Sequence, residues 1–542
     1  MQPTNKKPAD SSKSSYWYWV ALVLVIICAA VIRIRLLSIP LERDEGEYAY
    51  IAQQMLKGVP PYESAYSMKL PGIYAVYALF LAIFGQTLIA IHLGLVIFNA
   101  ATIFAIFWLT RRLFGDLAAV VAAAAFAVTS LTRPVLGLSA NAEHFVVLPA
   151  LVGVLLIAKA VERRSMLAVF IAALLFGLAF IIKQHGIFFS VFAAAYLLYS
   201  DLCHRPFRLA KTILNQLVFV TGAVLPFVFI CLFYWYIGVF DKFWFWTFTY
   251  ASKYATVVPM AQVPGIFWIK FGHLVYFTVP VWLFTLLGMF WLLFSRRIRP
   301  NAPFVLGFFV FSFISVCPGF YFREHYFVLL LPAAVILAGA GFSGLCDWVV
   351  GPISGPRRSI AIILAVLVVV GYTLFYQRMY LFDDGGDKVC RRIYGANPFP
   401  ESVQIADFIR ANSRPDDTIA VISSEPQIYF YSGRRAATRY IYTYPLMESH
   451  KYAAEMQKEM IGEMESAEPE FLVFVSIPTS WLDGPDSKRD IFAWFESYVN
   501  NYNMVGIVEI PPFDQAVYYW NSRAADRTPV SSFWVAIFKR RY

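Results

Sequence analysis

The chain has 542 residues, of which 59% are hydrophobic and only 15% charged, and its mean hydropathy is +0.59. A typical globular protein carries roughly a quarter charged residues. This composition therefore excludes a disordered chain, a nucleic-acid-binding arm and a purely soluble enzyme. The formal net charge of +10 falls mainly in short loops between apolar runs, where it sets membrane orientation. Those runs are long and continuous, which predicts a polytopic protein with α-helical spans.

The chain begins with a polar stretch over residues 1–15, which we expect to be a disordered cytoplasmic tail. An apolar run follows to about residue 37. We interpret it as a retained first span and not as a cleaved signal peptide, because it is long and no convincing cleavage site follows it. Arg33 and Arg35 at its end also fit a retained span.

Eleven further apolar runs follow the first one. They lie at about 71–84, 87–109, 117–131, 144–160, 166–182, 186–200, 212–238, 267–294, 302–319, 326–345 and 359–376. Basic loops at 111–112, 163–164, 204–211, 296–299 and 357–358 should face the cytoplasm. This alternation works if the short run 71–84 is an external or half-inserted helix. The sequence therefore predicts about eleven spans, with a cytoplasmic N-terminus and an external C-terminus.

The part after the last span, residues 379–542, has more charged and turn-forming residues than the rest. Residues 401–412 and 447–467 have the spacing of amphipathic helices. The segments 418–423, 470–475, 504–510 and 532–538 are rich in Val, Ile and Phe and predict strands. We expect one external α/β domain here, after a transmembrane domain over residues 16–378.

The first external loop, residues 38–72, carries the strongest chemical signal. Tyr48, Ile51, Met55 and Leu56 form an apolar stripe at helical spacing, which predicts a short helix on the membrane surface. Four acids stand at its start: Glu42, Asp44, Glu45 and Glu47. One interpretation is that Asp44 is only a helix N-cap and that its neighbours complement the helix dipole.

The alternation of loops places other titratable residues on the same face as these acids. They are Lys69, Glu143, His144, Lys183, His185, Arg323 and His325. Acids and bases gathered from several loops are more typical of a site with a proton acceptor and an anionic substrate than of isolated anchors. We favour such a site over the cap interpretation.

Several motifs resemble one enzyme family. RDEGEYAYIAQQMLKGVPPY followed by MKLPGIY resembles the first external loop of the GT-C glycosyltransferases. The branch is the one with bacterial aminoarabinose transferases, lipopolysaccharide-core transferases of the Rgt type and protein O-mannosyltransferases. SANAEHFVVLP, GLAFIIKQHG and PGFYFREHYFVLLLP look like later landmarks of the same branch. The resemblance covers residues 16 to about 345.

The resemblance implies a multi-pass enzyme of a bacterial-type inner membrane. It would move a sugar, with inversion, from a polyprenyl-phosphate donor to an external glycan, lipid or protein acceptor. Asp44 would activate the acceptor hydroxyl, and Glu45 would assist in acceptor or metal binding. Lys69, Arg323, Lys183 and His185 are candidate donor-phosphate ligands. Glu143, His144, His325 and Tyr326 are candidates for acceptor binding or auxiliary roles.

This chain departs from the family's pattern at two positions near Lys69, so a carboxylate role cannot be assigned there from the resemblance. Many relatives have Glu before the lysine, where this chain has Met68, and they often have two prolines after it, where this chain has Leu70 and Pro71. A divalent metal on His144 and His325 with Asp44 or Glu143 is an alternative that we disfavour against simple hydrogen bonding.

Other functions stay open at this point. A transporter or flippase would suit about eleven spans, although charges are sparse inside them and no internal repeat is visible. A scaffold that presents the C-terminal domain is a third possibility. The aromatic stretch 241–254 is typical of an interfacial belt; a cover over the donor, or a surface that receives a sugar, is the alternative reading.

Overall fold

The computed structural model describes residues 11–204, 206–254, 256–350, 356–511, 515–525 and 527–542. The predicted disorder of residues 1–10 lies outside these ranges. Residues 11–15 already belong to the first helix. The part of this helix that is apolar enough to cross a membrane begins at Tyr16.

The apolar part of the chain is helical. Its helices are α1 (Ser11–Arg35), α2 (Arg43–Leu56), α3 (Gly72–Phe84), α4 (Leu88–Phe114), α5 (Asp116–Thr129), α6 (Ala142–Arg163), α7 (Met166–Ile182), α8 (Ile187–Cys203), α9 (Leu209–Tyr236), α10 (Phe240–Trp244), α11 (Ala251–Tyr254), α12 (Val263–Phe277), α13 (Val279–Phe294), α14 (Ala302–Ile314), α15 (Leu331–Val350) and α16 (Pro356–Tyr376). A π-helical turn, Phe245–Tyr250, joins α10 to α11.

Six of these helices are long and apolar enough to cross a membrane: α1, α4, α6, α9 and α15, and α8 with the turn before it. A seventh span results if α12 and α13, which meet at a bend of 102°, count as one. Shorter apolar segments lie in α3, α5, α7, α14 and α16. The prediction of a multi-span helical protein is confirmed, while the length criterion supports six or seven spans among the described residues.

The helices cross closely where glycine removes a side chain. A Cβ on Gly288 of α13 would lie 2.0 Å from the carbonyl oxygen of Leu337 on α15. A Cβ on Gly341 of α15 would lie 2.2 Å from the carbonyl oxygen of Phe284. Because both distances are far below van der Waals contact, only glycine permits this backbone-to-backbone approach.

The C-terminal part contains a six-stranded mixed sheet. Its strands are β1 (Thr418–Ile422), β2 (Arg435–Ala436), β3 (Phe471–Ser476), β4 (Tyr502–Glu509), β5 (Val517–Trp520) and β6 (Trp534–Arg540), in the order β2-β1-β3-β6-β4-β5. β1 pairs in parallel with β2 and β3, and the remaining pairs are antiparallel. The accompanying helices are α17 (Gly386–Tyr394), α18 (Phe399–Ala411), α19 (Gln427–Ser432), α20 (Tyr444–Met447), α21 (Ala453–Ala467), α22 (Pro478–Trp481) and α23 (Asp490–Tyr498).

The four strands expected after residue 379 are confirmed within about two residues of their predicted bounds. The helix at 401–412 is α18. The helix at 447–467 is divided, because α20 ends at Met447 and α21 begins only at Ala453. β2 and β5 were not predicted, since strands of two and four residues show little periodicity.

The helix of the first loop, α2, does not lie on an open surface. All residues from Glu45 to Gln54 are buried, and α2 packs between α3 and α19. Gly46 faces α19 so closely that a Cβ would lie 2.6 Å from the backbone nitrogen of Gln427. The short helix predicted here is present, and the C-terminal part of the chain covers one side of it, which hydropathy could not reveal; its position at a membrane surface stays a prediction.

Candidate active site

A cavity of about 270 Å³ lies where the start of α2, the segment before α3, the loop before α15 and the C-terminal part meet. It is lined by Glu42, Arg43, Asp44, Glu47, Tyr66, Ser67, Met68, Lys69, Leu136, Trp246, Tyr250, Tyr254, Arg323, Glu324, His325, Tyr326, Tyr394, Phe399, Tyr442, Tyr444, Pro445 and Glu448. Acids, bases and aromatic rings thus converge on a single space, as the alternation of loops predicted.

The N-terminus of α2 leaves the carboxylate of Asp44 available to this cavity. Glu42 is the N-cap, and its side chain accepts a hydrogen bond from the backbone nitrogen of Glu45 at 3.3 Å. The side chain of Glu45 accepts one from the backbone nitrogen of Glu42 at 3.2 Å. This reciprocal capping box satisfies the helix end. The interpretation of Asp44 as the N-cap is therefore wrong.

Asp44 forms an ion pair with Lys69. The Nζ of Lys69 donates to Oδ2 of Asp44 at 3.3 Å and to the hydroxyl oxygen of Tyr48 at 3.2 Å. Burial, the largest effect, would raise the pKa of Asp44, but Lys69 and more distant basic groups together outweigh it, and the pKa of Asp44 is lowered. The pKa of Lys69 is raised, because Asp44 and Glu47 outweigh the burial of its ammonium group. Both groups are therefore charged at neutral pH.

Glu47 lies one helical turn after Asp44 and lines the same cavity. Its side chain is almost fully buried. Burial raises the pKa of Glu47 to about 7, a shift that Lys69 opposes and Asp44 adds to. Near neutral pH this carboxyl group is therefore divided between its neutral and charged forms, unlike Asp44.

Arg323 supplies a second cation to the cavity. Its guanidinium group hydrogen-bonds to Tyr254 and lies 5.3 Å from the ring centre of Tyr321. Burial would lower the pKa of Arg323, but the neighbouring tyrosines raise it. The adjacent Glu324 pairs with Lys270. Among the described residues Arg323 has no carboxylate partner, which leaves its charge available to an anion.

A buried ion pair supports the loop that carries Arg323. Lys183 donates to Oε1 of Glu143, and its Nζ lies 4.3 Å from the ring centre of Tyr326. The same oxygen of Glu143 lies 3.8 Å from Nε2 of His325. Burial lowers the pKa of His325 to about 4, so its imidazole is neutral at pH 7. His325 and Tyr326 line the cavity, while Glu143 and Lys183 lie behind them.

Besides Glu143 and Lys183, three further predicted residues lie outside the cavity. Glu45 is fully buried. Its Oε1 accepts a hydrogen bond from the backbone nitrogen of Ala140 at 2.6 Å and lies 3.0 Å from Nε2 of His92. His185 is held by the carbonyl oxygen of Ser315 at 2.8 Å. His144 is buried near the start of α6. From these positions, Glu45, His185 and His144 do not reach a substrate in the cavity.

The suggested metal ligands do not fit a metal site. Among the described residues, no three His, Cys, Asp or Glu side chains converge where one ion could bind them. Asp44 is paired with Lys69, and Glu143 with Lys183.

Several residues of the cavity were not predicted as site residues. Tyr442, Tyr444 and Glu448 come from the C-terminal part, and Trp246, Tyr250 and Tyr254 come from the aromatic stretch 241–254. The contact of that stretch with the cavity fits the alternative kept for it, a cover over the donor or a surface that receives a sugar, better than an interfacial belt alone. Its density of aromatic rings was a signal, but nothing in the sequence shows which rings face the site.

Arg43 joins the C-terminal part to the start of α2. Its Nη2 donates to Oε1 of Glu425 at 2.8 Å, to Oγ of Ser480 at 2.8 Å and to Oδ1 of Asn397 at 2.7 Å. Its Nε donates to the carbonyl oxygen of Ser424. Because Arg43 precedes Asp44 directly, this buried network fixes the backbone from which Asp44 enters the cavity.

Comparisons with known proteins identify the fold. Residues 68–235 match the family described as dolichyl-phosphate-mannose-protein mannosyltransferase. The structure of ArnT from Cupriavidus metallidurans bound to undecaprenyl phosphate superposes with a TM-score of 0.57 and 16% identity, covering 96% of this chain and 98% of that one. The chain has the GT-C fold.

A second GT-C structure supports the same conclusion. The archaeal oligosaccharyltransferase AglB from Archaeoglobus fulgidus, in complex with an inhibitory peptide and a dolichol-phosphate, gives a TM-score of 0.51 at 14% identity. The superposition covers 96% of this chain and 76% of AglB. A search of curated protein sequences finds no match. At sequence identities of 14% and 16%, the superpositions establish the fold. The resemblance drawn from the sequence motifs is therefore confirmed for the fold.

Proposed function

We propose that this protein is a membrane glycosyltransferase that moves a sugar from a polyprenyl-phosphate donor to an external acceptor with inversion. The observation that carries the proposal is the convergence of Asp44, Lys69 and Arg323 on one cavity. A carboxylate next to two fixed cations suits a reaction in which a hydroxyl group loses a proton while a phosphate leaves.

In the proposed step, the acceptor hydroxyl oxygen attacks the anomeric carbon from the side opposite the phosphate. The new bond from carbon to the acceptor oxygen forms as the bond from carbon to the phosphate oxygen breaks, and this inverts the configuration. Asp44 takes the hydroxyl proton. The bonding electrons leave with the polyprenyl phosphate, whose added negative charge Arg323 and Lys69 stabilise.

The remaining predicted residues have supporting roles in this proposal. Lys183 and Glu143 form an ion pair behind the cavity wall and contact Tyr326 and His325, respectively. Glu45 fixes the first turn of α2 through the capping box. Tyr326 and His325 remain candidates for contact with the acceptor, since both line the cavity.

The matched proteins support a lipid-phosphate donor. ArnT was solved with undecaprenyl phosphate and AglB with a dolichol-phosphate. We extend that donor class to this chain because its cavity has cations ready for a phosphate. The transferred unit is a hexose or a pentose, and the acceptor is a glycolipid, a polysaccharide or a protein; a transfer assay with each donor and acceptor class identifies the pair.

The proposed topology has about eleven spans in a bacterial-type inner membrane. The N-terminus is cytoplasmic, and the domain over residues 379–542 is external. With the bent pair α12 and α13 counted as one span, the shorter apolar segments in α5, α7, α14 and α16 would complete the eleven spans, and α3 would stay external or half-inserted. This orientation follows from the basic loops and places the cavity on the external face.

The test is sugar transfer from a labelled polyprenyl-phosphate sugar by the purified chain. Asp44→Asn keeps the size of the side chain but cannot accept the proton, so turnover should fall by roughly 10² to 10⁴-fold. Glu63→Gln is the matched control, because Glu63 belongs to the same loop but does not line the cavity. Normal turnover in folded Asp44→Asn would reject Asp44 as the base.

A further inference from the structure

A second polar cleft lies at the opposite ends of the helices that carry the candidate active site. α6 begins next to that site, at Glu143, and ends at Arg163. Its 22 residues span roughly 33 Å, about the thickness of the apolar layer of a bilayer. α7 begins at the far end and returns to the site at Lys183. The cleft is therefore on the other membrane face.

This cleft is shallow, with a volume of about 60 Å³, and combines a cationic rim with an apolar floor. Arg164, Arg208 and Lys211 supply the charge of the rim. Ala160, Val161, Val169 and Leu197 supply the floor, from α6, α7 and α8. An anionic head with an apolar tail fits such a surface better than either a free ion or a purely apolar ligand.

The charge of the rim is not neutralised from within the described protein. Asp201, the one carboxylate on the cleft, accepts from Nδ2 of Asn215 at 2.9 Å. Across the described residues, no carboxylate lies within ion-pair distance of Arg164, Arg208 or Lys211. Arg164 contacts the ring of His204 instead. Three cations against one acid leave a net positive charge.

The cleft opens beside lipid-facing surface. The neighbouring face of α9 exposes Leu209, Ile213 and Leu217, whose exposed fractions are 62%, 50% and 59%. In a membrane protein these side chains meet acyl chains. A ligand with its phosphate on the rim can therefore lay its chains along α9 without leaving the bilayer.

We propose that this cleft binds the phosphodiester headgroup of an anionic phospholipid at the membrane face opposite the active site. The basic side chains hold the headgroup through charge-assisted hydrogen bonds. Basic pockets between transmembrane helices are a known mode of recognising such lipids. The proposal is independent of the glycosyltransferase reaction, because none of these residues lines the active-site cavity.

The test titrates the full chain in neutral detergent with dioctanoyl phosphatidylglycerol, dioctanoyl phosphatidylcholine and inorganic phosphate, read by native mass spectrometry. Phosphatidylglycerol should bind, and phosphatidylcholine should bind at least tenfold more weakly. Arg208→Gln and Lys211→Gln should each weaken phosphatidylglycerol binding by about fivefold, the effect of one basic residue near an anionic headgroup. Arg208→Lys should retain most of the affinity.

Arg163→Gln is the matched control, because Arg163 is an exposed cation next to Arg164 that does not line the cleft. Its affinity for phosphatidylglycerol should equal that of the native chain. Equal binding of the two lipids, or equal losses in the control and the cleft variants, would overturn the proposal. Inorganic phosphate that binds as tightly as phosphatidylglycerol would overturn the assignment to a lipid.

Discussion

The ammonium group of Lys69 lies 3.3 Å from the carboxylate of Asp44, and the two residues come from different sides of the first loop. Asp44 is in the first turn of α2, whereas Lys69 precedes α3. The chain reverses between them. This pair keeps Asp44 ionised inside a largely buried cavity, and a proton acceptor must be ionised before the acceptor hydroxyl arrives.

Replacing Lys69 should impair both the base and the binding of the donor. In Lys69→Met, Asp44 loses its counter-ion, so burial should raise the pKa of Asp44 and the pH optimum of transfer should shift upward. Turnover at neutral pH should fall roughly 10- to 100-fold, the worth of a charge-assisted contact. Lys57→Met, at the exposed C-cap of α2, is the control. An unchanged pH profile in Lys69→Met would show that Lys69 is not what keeps the carboxylate of Asp44 ionised.

Arg323 should act on the donor and not on the fold. Arg323→Gln removes the cavity's cation that lacks a carboxylate partner, so affinity for a polyprenyl-phosphate sugar should fall roughly 10- to 100-fold. Binding can be measured with a fluorescent donor analogue in detergent. Arg297→Gln, whose side chain is 86% exposed elsewhere, should bind the donor normally. Equal affinity of both variants would remove Arg323 from the donor site.

Glu45 should prove structural. Glu45→Ala leaves His92 and the backbone nitrogen of Ala140 without their acceptor. Loss of one member of a buried polar pair costs about 3 kcal/mol. The midpoint of thermal unfolding in detergent should fall clearly in Glu45→Ala and stay near the native value in Asp44→Asn. If instead Glu45→Ala loses activity with an unchanged unfolding midpoint, Glu45 has a direct chemical role.

Glu47 should make donor binding depend on pH. Because the pKa of Glu47 is raised to about 7, its carboxyl group is neutral below that pH and negative above it. A negative charge next to the phosphate is repulsive, so affinity should fall several-fold between about pH 6 and about pH 8. The donor is a phosphodiester and does not titrate in this range, and His325 stays neutral because its pKa is lowered to about 4.

Glu47→Gln is the matched variant for this experiment. It keeps the shape of the side chain but stays neutral at every pH, so its donor affinity should be flat over the same interval. A native-like pH dependence in Glu47→Gln would assign the titration to another group. A flat profile in the native chain would contradict the raised pKa.

The proposed orientation can be tested by labelling single cysteines in a chain whose native cysteines are replaced. Asp486→Cys, on an exposed loop of the C-terminal part, should react with a membrane-impermeant maleimide in intact cells. Arg297→Cys, in a basic loop, should react only after permeabilisation. Labelling in the reverse pattern would invert the topology and place the cavity on the cytoplasmic face.

Much of the fold follows from local sequence. Long apolar runs must form helices in a bilayer, since no water is present to satisfy their backbone groups. The strands of the C-terminal part are similarly visible, because β-branched and aromatic residues cluster in them. The spans that stay uncertain are those shorter than about 18 residues, where composition cannot distinguish a tilted span from a buried or half-inserted helix.

For the site, the sequence determined which residue types are present and, through the alternation of basic loops, which of them share a face. Only the tertiary structure decided that Asp44 pairs with Lys69, that Glu45 turns inward to His92, and that Glu47 enters the cavity. The acids of the DEGE segment are alike locally, and they point in different directions because α2 rotates each successive side chain by about 100°. The C-terminal part then covers one side of α2. Arg43 at the start of α2 hydrogen-bonds to Asn397 and Glu425, which lie more than 350 residues away in the chain. No local sequence pattern encodes a contact over that distance.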